Sequence, residues 1–137
     1  MYSIEAIKTE YQRLDAITGQ DIAKTVPVEI VERELTTRGA YQFRLIKGID
    51  VLTEKIVFNS FVMNEDADTF YNTIRHEYAH AFATRKYLRD VDHGKEWQEC
   101  AKIVGANPEA HANFTKSQKR AISNMFEMLI AMAEDEE

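Results

Sequence analysis

Hydrophobic positions near the start of the chain recur with the period of an α-helix. They are spaced three or four residues apart and predict one amphipathic helix over residues 3–18. Ser3 is suited to cap the start of this helix, and Gly19 follows its end, where a left-handed residue is often required. The apolar positions are Ile4, Ile7, Tyr11, Leu14 and Ile17.

The pattern then changes to the alternation and β-branched enrichment that are typical of strands. Three strands are predicted, over residues 26–31, 40–47 and 54–63. Pro27 places the first of them at an edge or at a strand start, because proline cannot donate to a β-ladder. The segment Gly48-Ile49-Asp50 predicts a turn between the second and third strands. We therefore expect a three-stranded antiparallel meander.

From about Asp66 the helical period returns. Asp66 is one of several residues suited to cap a long helix, which we expect to fray near residues 87–90. A shorter helix is predicted over residues 96–104, and Gly105 ends it. A last amphipathic helix is predicted over about residues 115–133.

One domain accounts for a chain of this length. Its 137 residues fall within the usual domain size, and 45% hydrophobic with 29% charged residues argues against wholesale disorder. We expect a single domain over residues 1–137, with a core at about 4–105, the C-terminal helix at about 115–133 and a solvated acidic tail at 134–137. The predicted fold class is α+β, with the small sheet packed against the central helix and the two terminal helices.

Charge and cysteine content exclude several classes of protein. A net charge of −6 argues against a general polyanion-binding protein. Cys100 is the only cysteine, so there is neither a disulfide framework nor a cysteine-based zinc cluster. No stretch approaches the length of a membrane span, and the N-terminus does not resemble a signal peptide. We expect a soluble, cytoplasmic protein with no membrane partner.

The central helix contains the pattern H-E-x-x-H, as His76-Glu77-Tyr78-Ala79-His80. Residues i and i+4 lie one turn apart on the same side of a helix, so His76 and His80 can both reach one metal ion. Glu77 is not needed as a ligand and is the candidate general base beside a zinc-activated water. The competing interpretation is a solvated pair of histidines, and the helical context favours the metal site.

Two histidines leave a catalytic zinc one protein ligand short. Lys86 occupies the position at which the metzincin pattern would place its third histidine, so that class is excluded. His93, which Gly94 follows, is the favoured third ligand because glycine permits a close backbone approach. The alternatives that stay open are Glu96, Glu99 and His111.

The two histidine motifs together resemble the SprT-like metalloprotease domain family. That family carries H-E-x-x-H and then, after a short insert, H-G-x-x-aromatic, which here is His93-Gly94-Lys95-Glu96-Trp97. The segment Arg38-Gly39-Ala40 and the strand at residues 55–63 also fit, and the resemblance covers about residues 4–105. It implies a zincin-like fold and a zinc ion bound by His76, His80 and His93, with Glu77 as the catalytic base.

The resemblance also implies the function, a zinc-dependent peptidase that acts on protein substrates. Some family members cleave proteins crosslinked to DNA, so DNA is a partner that the resemblance alone suggests. Many relatives append a zinc ribbon built from cysteine pairs, and with Cys100 alone this sequence contains none. Two alternatives are a zinc-stabilised binding or adaptor module without catalysis and a zinc hydrolase of a non-peptide substrate. Glu77 counts against the adaptor, because a purely structural site needs no general base.

Other residues near the motifs have simpler interpretations. Trp97 is expected to pack in the core behind the third ligand, and Cys100 to be a small buried hydrophobic residue. Tyr78 is expected to face the core and is therefore a poor candidate for stabilising an oxyanion. For Asp90 and Asp92 we favour loop capping over a hydrogen bond to a ligand imidazole.

Overall fold

The computed structural model describes residues 1–32 and 37–109. Its helices are α1 (Ile4–Thr18), α2 (Ile22–Thr25), α3 (Ala67–Tyr87) and α4 (Lys95–Val104). Its strands are β1 (Val28–Val31), β2 (Gly39–Ile46) and β3 (Asp50–Asn59), and a 3-10 helix follows at Ser60–Asn64. The predicted α+β class is confirmed. The predicted C-terminal helix, the acidic tail and His111 lie outside the described residues.

The long helices begin and end close to the predicted residues. Gly19 follows α1 with a φ of 76°, and its N–H donates to the carbonyl of Asp15 over 2.8 Å. Asp66 caps α3, because its Oδ1 accepts from the N–H of Thr69 over 2.7 Å. Ser3 precedes α1 but makes no side-chain capping bond. Both glycine and aspartate therefore act at helix ends as their chemistry predicts.

The short helix α2 has no counterpart in the sequence prediction. It contains four residues, too few for a periodic pattern, and follows α1 closely. The carboxylate of Asp15 accepts from the N–H groups of Ile22 and Ala23, over 3.1 and 2.9 Å. Asp15 thus stabilises the start of α2 from within α1, because it binds two N–H groups that have no partner within a helix.

The sheet is mixed, with strand order β1-β3-β2. The antiparallel hairpin of β2 and β3 is confirmed. The prediction of an antiparallel first strand is wrong, because β1 runs parallel to β3, with Val28 opposite Ile56 and Val31 opposite Asn59. Since β2 occupies one side of β3, β1 pairs with the other side. Alternation along a strand shows which side chains share a face but does not show the strand's partner or direction.

One hydrophobic core lies between the sheet and the helices. The hydroxyl of Tyr11 on α1 donates to the carbonyl of Ile74 on α3 over 2.5 Å. The hydroxyl of Tyr78 donates to Asp15 over 2.7 Å, and Tyr78 faces the core as predicted. Members of this core include Ile7, Tyr11 and Leu14 of α1, Ile56 and Phe58 of β3, Phe70, Ile74 and Tyr78 of α3, and Trp97, Cys100, Ala101 and Val104 of α4.

The longest of the described helices is α3, with 21 residues. None of them combines the length and the apolar content that crossing a bilayer requires.

The hairpin turn is connected to the end of α3, because the N–H of Gly48 donates to the carbonyl of Leu88 over 2.8 Å. This bond lies at the start of the loop that leads from α3 to His93, so the sheet helps to fix where that loop begins.

Candidate metal centre

Helix α3 carries the H-E-x-x-H residues on a face that the fold buries. His76 is 2% exposed and Glu77 is 3% exposed, whereas His80 is half-buried. By helical periodicity these residues lie in an arc beside the core face of α3. The structure buries both His76 and Glu77, and Trp97 of α4 packs against the ring of His76.

His93 lies on a short loop that joins α3 to α4. Leu88 and Asp92 adopt left-handed backbone conformations, with φ values of 53° and 49°. The N–H of Gly94 donates to the carbonyl of Val91 over 3.0 Å, and Val91 is buried. A Cβ atom at position 94 would lie 3.1 Å from that carbonyl oxygen, so the tight turn favours glycine directly after His93.

The three histidine side chains converge through the same ring nitrogen. Nε2 of His93 lies 3.1 Å from Nε2 of His76 and 3.1 Å from Nε2 of His80. Four-coordinate zinc with nitrogen ligands at about 2.0–2.1 Å would separate those nitrogens by about 3.3 Å. The observed spacing therefore fits a tetrahedral metal ion, and the three residues form a group that could hold one.

The alternative to a metal is a set of hydrogen bonds between the imidazoles, and it is chemically incomplete. A neutral imidazole has one N–H, so Nε2 of His93 can donate to only one of its two neighbours. The other pair of nitrogens would then need an N–H from His76 or His80. One shared cation satisfies all three lone pairs together, which is the arrangement a metal site provides.

Burial keeps two of these histidines neutral. It lowers the pKa of His76 to about 2, with further lowering by His80 and His93. It also lowers the pKa of His80 to about 3, where His93 adds to the effect and Asp92 opposes it. Both rings are therefore unprotonated at neutral pH, which is the form that binds a metal.

Asp92 orients the third histidine. Its Oδ1 lies 3.1 Å from Nδ1 of His93, so the carboxylate favours the tautomer whose N–H is on Nδ1 and whose Nε2 lone pair is free. Asp90 accepts from the N–H of Asp92 over 3.0 Å and so caps the loop. Loop capping is confirmed for Asp90. For Asp92 that prediction is wrong, because its carboxylate bonds the imidazole of His93.

Trp97 packs against all three histidine rings. Its ring centroid lies 4.6 Å from that of His76, 5.2 Å from that of His80 and 4.8 Å from that of His93. The side chain is fully buried, as predicted. The sequence placed Trp97 behind the third ligand alone. Its contact with the other two depends on the angle at which α4 crosses α3, which no local pattern reveals.

Comparison with known protein families adds an independent finding. The SprT-like family matches residues 7–119, well over half of the chain. The chain belongs to the SprT-like family. The resemblance drawn from the two histidine motifs is thereby confirmed, and the match spans His76, Glu77, His80 and His93. No curated protein matches the chain. SprT-like domains are metallopeptidase-like, and this chain therefore carries a metallopeptidase-like domain.

Within this SprT-like domain, Glu96 and Glu99 are the other candidate ligands that the structure describes. Glu96 forms an ion pair with Arg89, and Glu99 is exposed. Neither belongs to the metal-ligating group found among the described residues. Glu77 is adjacent to His76 but does not join the group either, which suits a general base better than a ligand. Burial is the main reason that the pKa of Tyr11 is raised, and the negative charge of Glu77 is the second.

Proposed function

We propose that this protein is a zinc-dependent metallopeptidase that hydrolyses peptide bonds in protein substrates. The observation that carries the proposal is the convergence of three Nε2 atoms. Those of His76 and His80, on the helix that also bears Glu77, each lie 3.1 Å from that of His93 on the following loop. Membership of the SprT-like family supports the reaction class. Three imidazole ligands and no thiolate favour zinc, with its fourth position left for water or substrate.

Each residue of the site would have a separate role. His76, His80 and His93 would hold the ion as neutral imidazoles, with His93 oriented by Asp92. Zinc bound there would supply a Lewis acid that lowers the pKa of water and polarises a carbonyl group. The Glu77 carboxylate would then accept a proton from the attacking water.

In this reaction Glu77 would carry one proton from the attacking water to the departing amine. The water oxygen bonds to the carbonyl carbon, and the carbon–nitrogen bond breaks. Glu77 delivers the proton that it took from the water to the departing amine nitrogen. Tyr78 takes no part, because its hydroxyl is occupied by Asp15 and Thr18 in the core.

The proposal extends to partners. The substrates are proteins, and the family resemblance suggests proteins bound to DNA. With a net charge of −6, any contact with DNA would be made by a local basic surface. Addition of single-stranded or duplex DNA to the assay below tests this extension, since an obligatory DNA partner would raise turnover and an irrelevant one would not.

The decisive experiment compares the zinc-loaded protein with its Glu77→Gln variant at equal zinc content, using an unfolded protein such as reduced casein as substrate. Loss of general-base catalysis should lower hydrolysis by at least ~100-fold while zinc is retained. Asp68→Asn is the matched control, because Asp68 is an exposed acid at the start of the same helix. Full activity of Glu77→Gln would remove Glu77 from the mechanism.

The same assay separates the two alternatives. A wild-type protein that binds zinc but cleaves no protein and no small ester would support the adaptor module. Cleavage of esters or other non-peptide bonds, with proteins left intact, would support the non-peptide hydrolase. In both outcomes the zinc site stands and the peptidase proposal fails.

A further inference from the structure

The indole of Trp97 is in contact with all three histidines. It stacks on His80, with an interplanar angle of 27°, and meets His93 edge-on at 78°. It tilts against His76 at 54°. Each imidazole is therefore restricted by a different part of the same rigid, two-ring surface.

The position of Trp97 is itself fixed by the core. Trp97 lies in the first turn of α4, and Cys100, Ala101 and Val104 of that helix are buried. His76 and His80 belong to a long helix, whereas His93 belongs to a loop and its side chain is 31% exposed. The loop histidine thus has the greatest freedom to lose, and the buried indole of Trp97 restricts it.

The N–H group of the indole makes no hydrogen bond with any of the described residues. Among the described residues, neither Nε1 of Trp97 nor Nδ1 of His76, both of them buried, has a hydrogen-bond partner. A buried N–H without a partner is unfavourable, and most buried tryptophans avoid it. Phenylalanine would fill the centre of this space without that penalty. The feature that only tryptophan supplies is the length needed to reach all three rings.

We infer that Trp97 is a positioning residue for the metal centre, which holds the three imidazoles at ligand spacing before the metal binds. The inference rests on the proposed function only in requiring a metal ion at the three histidines, and it does not depend on hydrolysis. Preorganised ligands bind a metal more tightly because less ordering accompanies binding.

The test measures zinc affinity by competition with a chelating dye, beside the urea midpoint of the metal-free protein. In Trp97→Phe we expect zinc affinity to fall by about tenfold or more, the scale of a lost supporting contact, with little change in the midpoint. Trp97→Leu should bind still more weakly. Val104→Ala is the control, because it removes buried volume from the same helix at a distance from the histidines, and it should lower the midpoint while leaving zinc affinity unchanged.

A measurement on the unaltered protein covers the case in which the variants fail to fold. Trp97 is the only tryptophan, so the intrinsic fluorescence reports this indole alone. Zinc should change the emission until about one equivalent is bound, because a divalent charge would lie close to the indole. The inference would be overturned if the emission did not change when zinc binds. It would also be overturned if a folded Trp97→Phe variant bound zinc with wild-type affinity. Failure of the wild type to bind zinc would instead contradict the proposed function.

Discussion

Nε2 of His93 lies 3.1 Å from Nε2 of His80, although the two residues are 13 positions apart and only His80 is helical. The loop between α3 and α4 therefore turns back on the helix it has just left. Two left-handed residues, Leu88 and Asp92, make that reversal, and the buried side chain of Val91 holds it. The third ligand depends on backbone conformations that cost free energy in a non-glycine residue, as is common at functional sites.

Replacement of Asp92 should weaken the metal centre without unfolding the loop. Asp92→Gly keeps the left-handed backbone accessible and removes the carboxylate that orients Nδ1 of His93. Loss of such a partner lowers metal affinity by about 10–100-fold, and we expect the lower end because Asp92 is 88% exposed. A chelator-competition titration measures the change. Asp92→Asn, which retains an acceptor oxygen, should lie between; equal affinities for all three proteins would show that Asp92 does not support His93.

Removal of the metal should loosen the ligand loop and little else. The histidines connect α3 to residues 88–94, whereas α4 is held independently by Cys100, Ala101 and Val104 in the core. Hydrogen exchange of metal-free and zinc-loaded protein should differ mainly at residues 88–94, which open locally below the global free energy of unfolding. Loss of protection across α1 and β3 as well would mean that the metal stabilises the whole domain, as in a zinc finger.

The metal-free protein should become less stable as the pH falls below about 6.5. In the folded state the pKa of His76 is about 2 and that of His80 about 3, against 6.5 when unfolded. Above pH ~6.5 neither state binds these protons. Below it the unfolded state binds about two protons that the folded state does not bind, so the free energy of unfolding declines toward pH ~3.

Urea midpoints of the metal-free protein at about pH 7.5 and about pH 5 measure this decline. The carboxyl groups of Asp21, Asp66 and Glu96 have lowered pKa values and so titrate below this window. The variant His76→Gln should reduce the pH dependence by about half, because it removes one of the two protons. A midpoint that does not change between the two pH values would show that the histidines are not held neutral.

Gly39 allows β2 to approach the core ring of Phe58. A Cβ atom at position 39 would lie 2.7 Å from Cδ1 of Phe58, which pairs with Gly39 across the sheet and is fully buried. Gly39→Ala should therefore lower the free energy of unfolding by about 1–3 kcal/mol, the usual cost of overpacking. Chemical denaturation measures it. In a Phe58→Leu background, Gly39→Ala should lower the free energy of unfolding by less. An equal loss in that background would show that the cost arises from the backbone and not from the ring of Phe58.

The sequence predicts those features that arise from local chemistry. Helix α3 and the placement of His76 and His80 on one side of it follow from spacing alone. The sequence offers several residues as the cap of α3, and the structure identifies Asp66. The hairpin of β2 and β3 follows from alternation and a turn signal. The direction of β1 does not, because a parallel and an antiparallel strand show the same alternation.

Features that arise from packing between elements are absent from the local pattern. The angular position of Glu77 on α3 separates it from the core face, yet the fold buries its side chain. The contact of Trp97 with His76 and His80 arises from the packing of α4 against α3. Sequence spacing identified His93 as a ligand candidate, but only the fold shows that its Nε2 faces those of the other two histidines.

The most direct measurement of the central claim is anomalous diffraction at the zinc edge from crystals of the zinc-loaded protein. We expect one anomalous peak per chain, at about 2.0–2.1 Å from Nε2 of His76, His80 and His93, with Glu77 not coordinated. A peak that includes a carboxylate of Glu96 or Glu99, or that lacks His93, would contradict the assignment of the third ligand. No peak at the three histidines, in protein that binds zinc elsewhere, would contradict the metal centre itself.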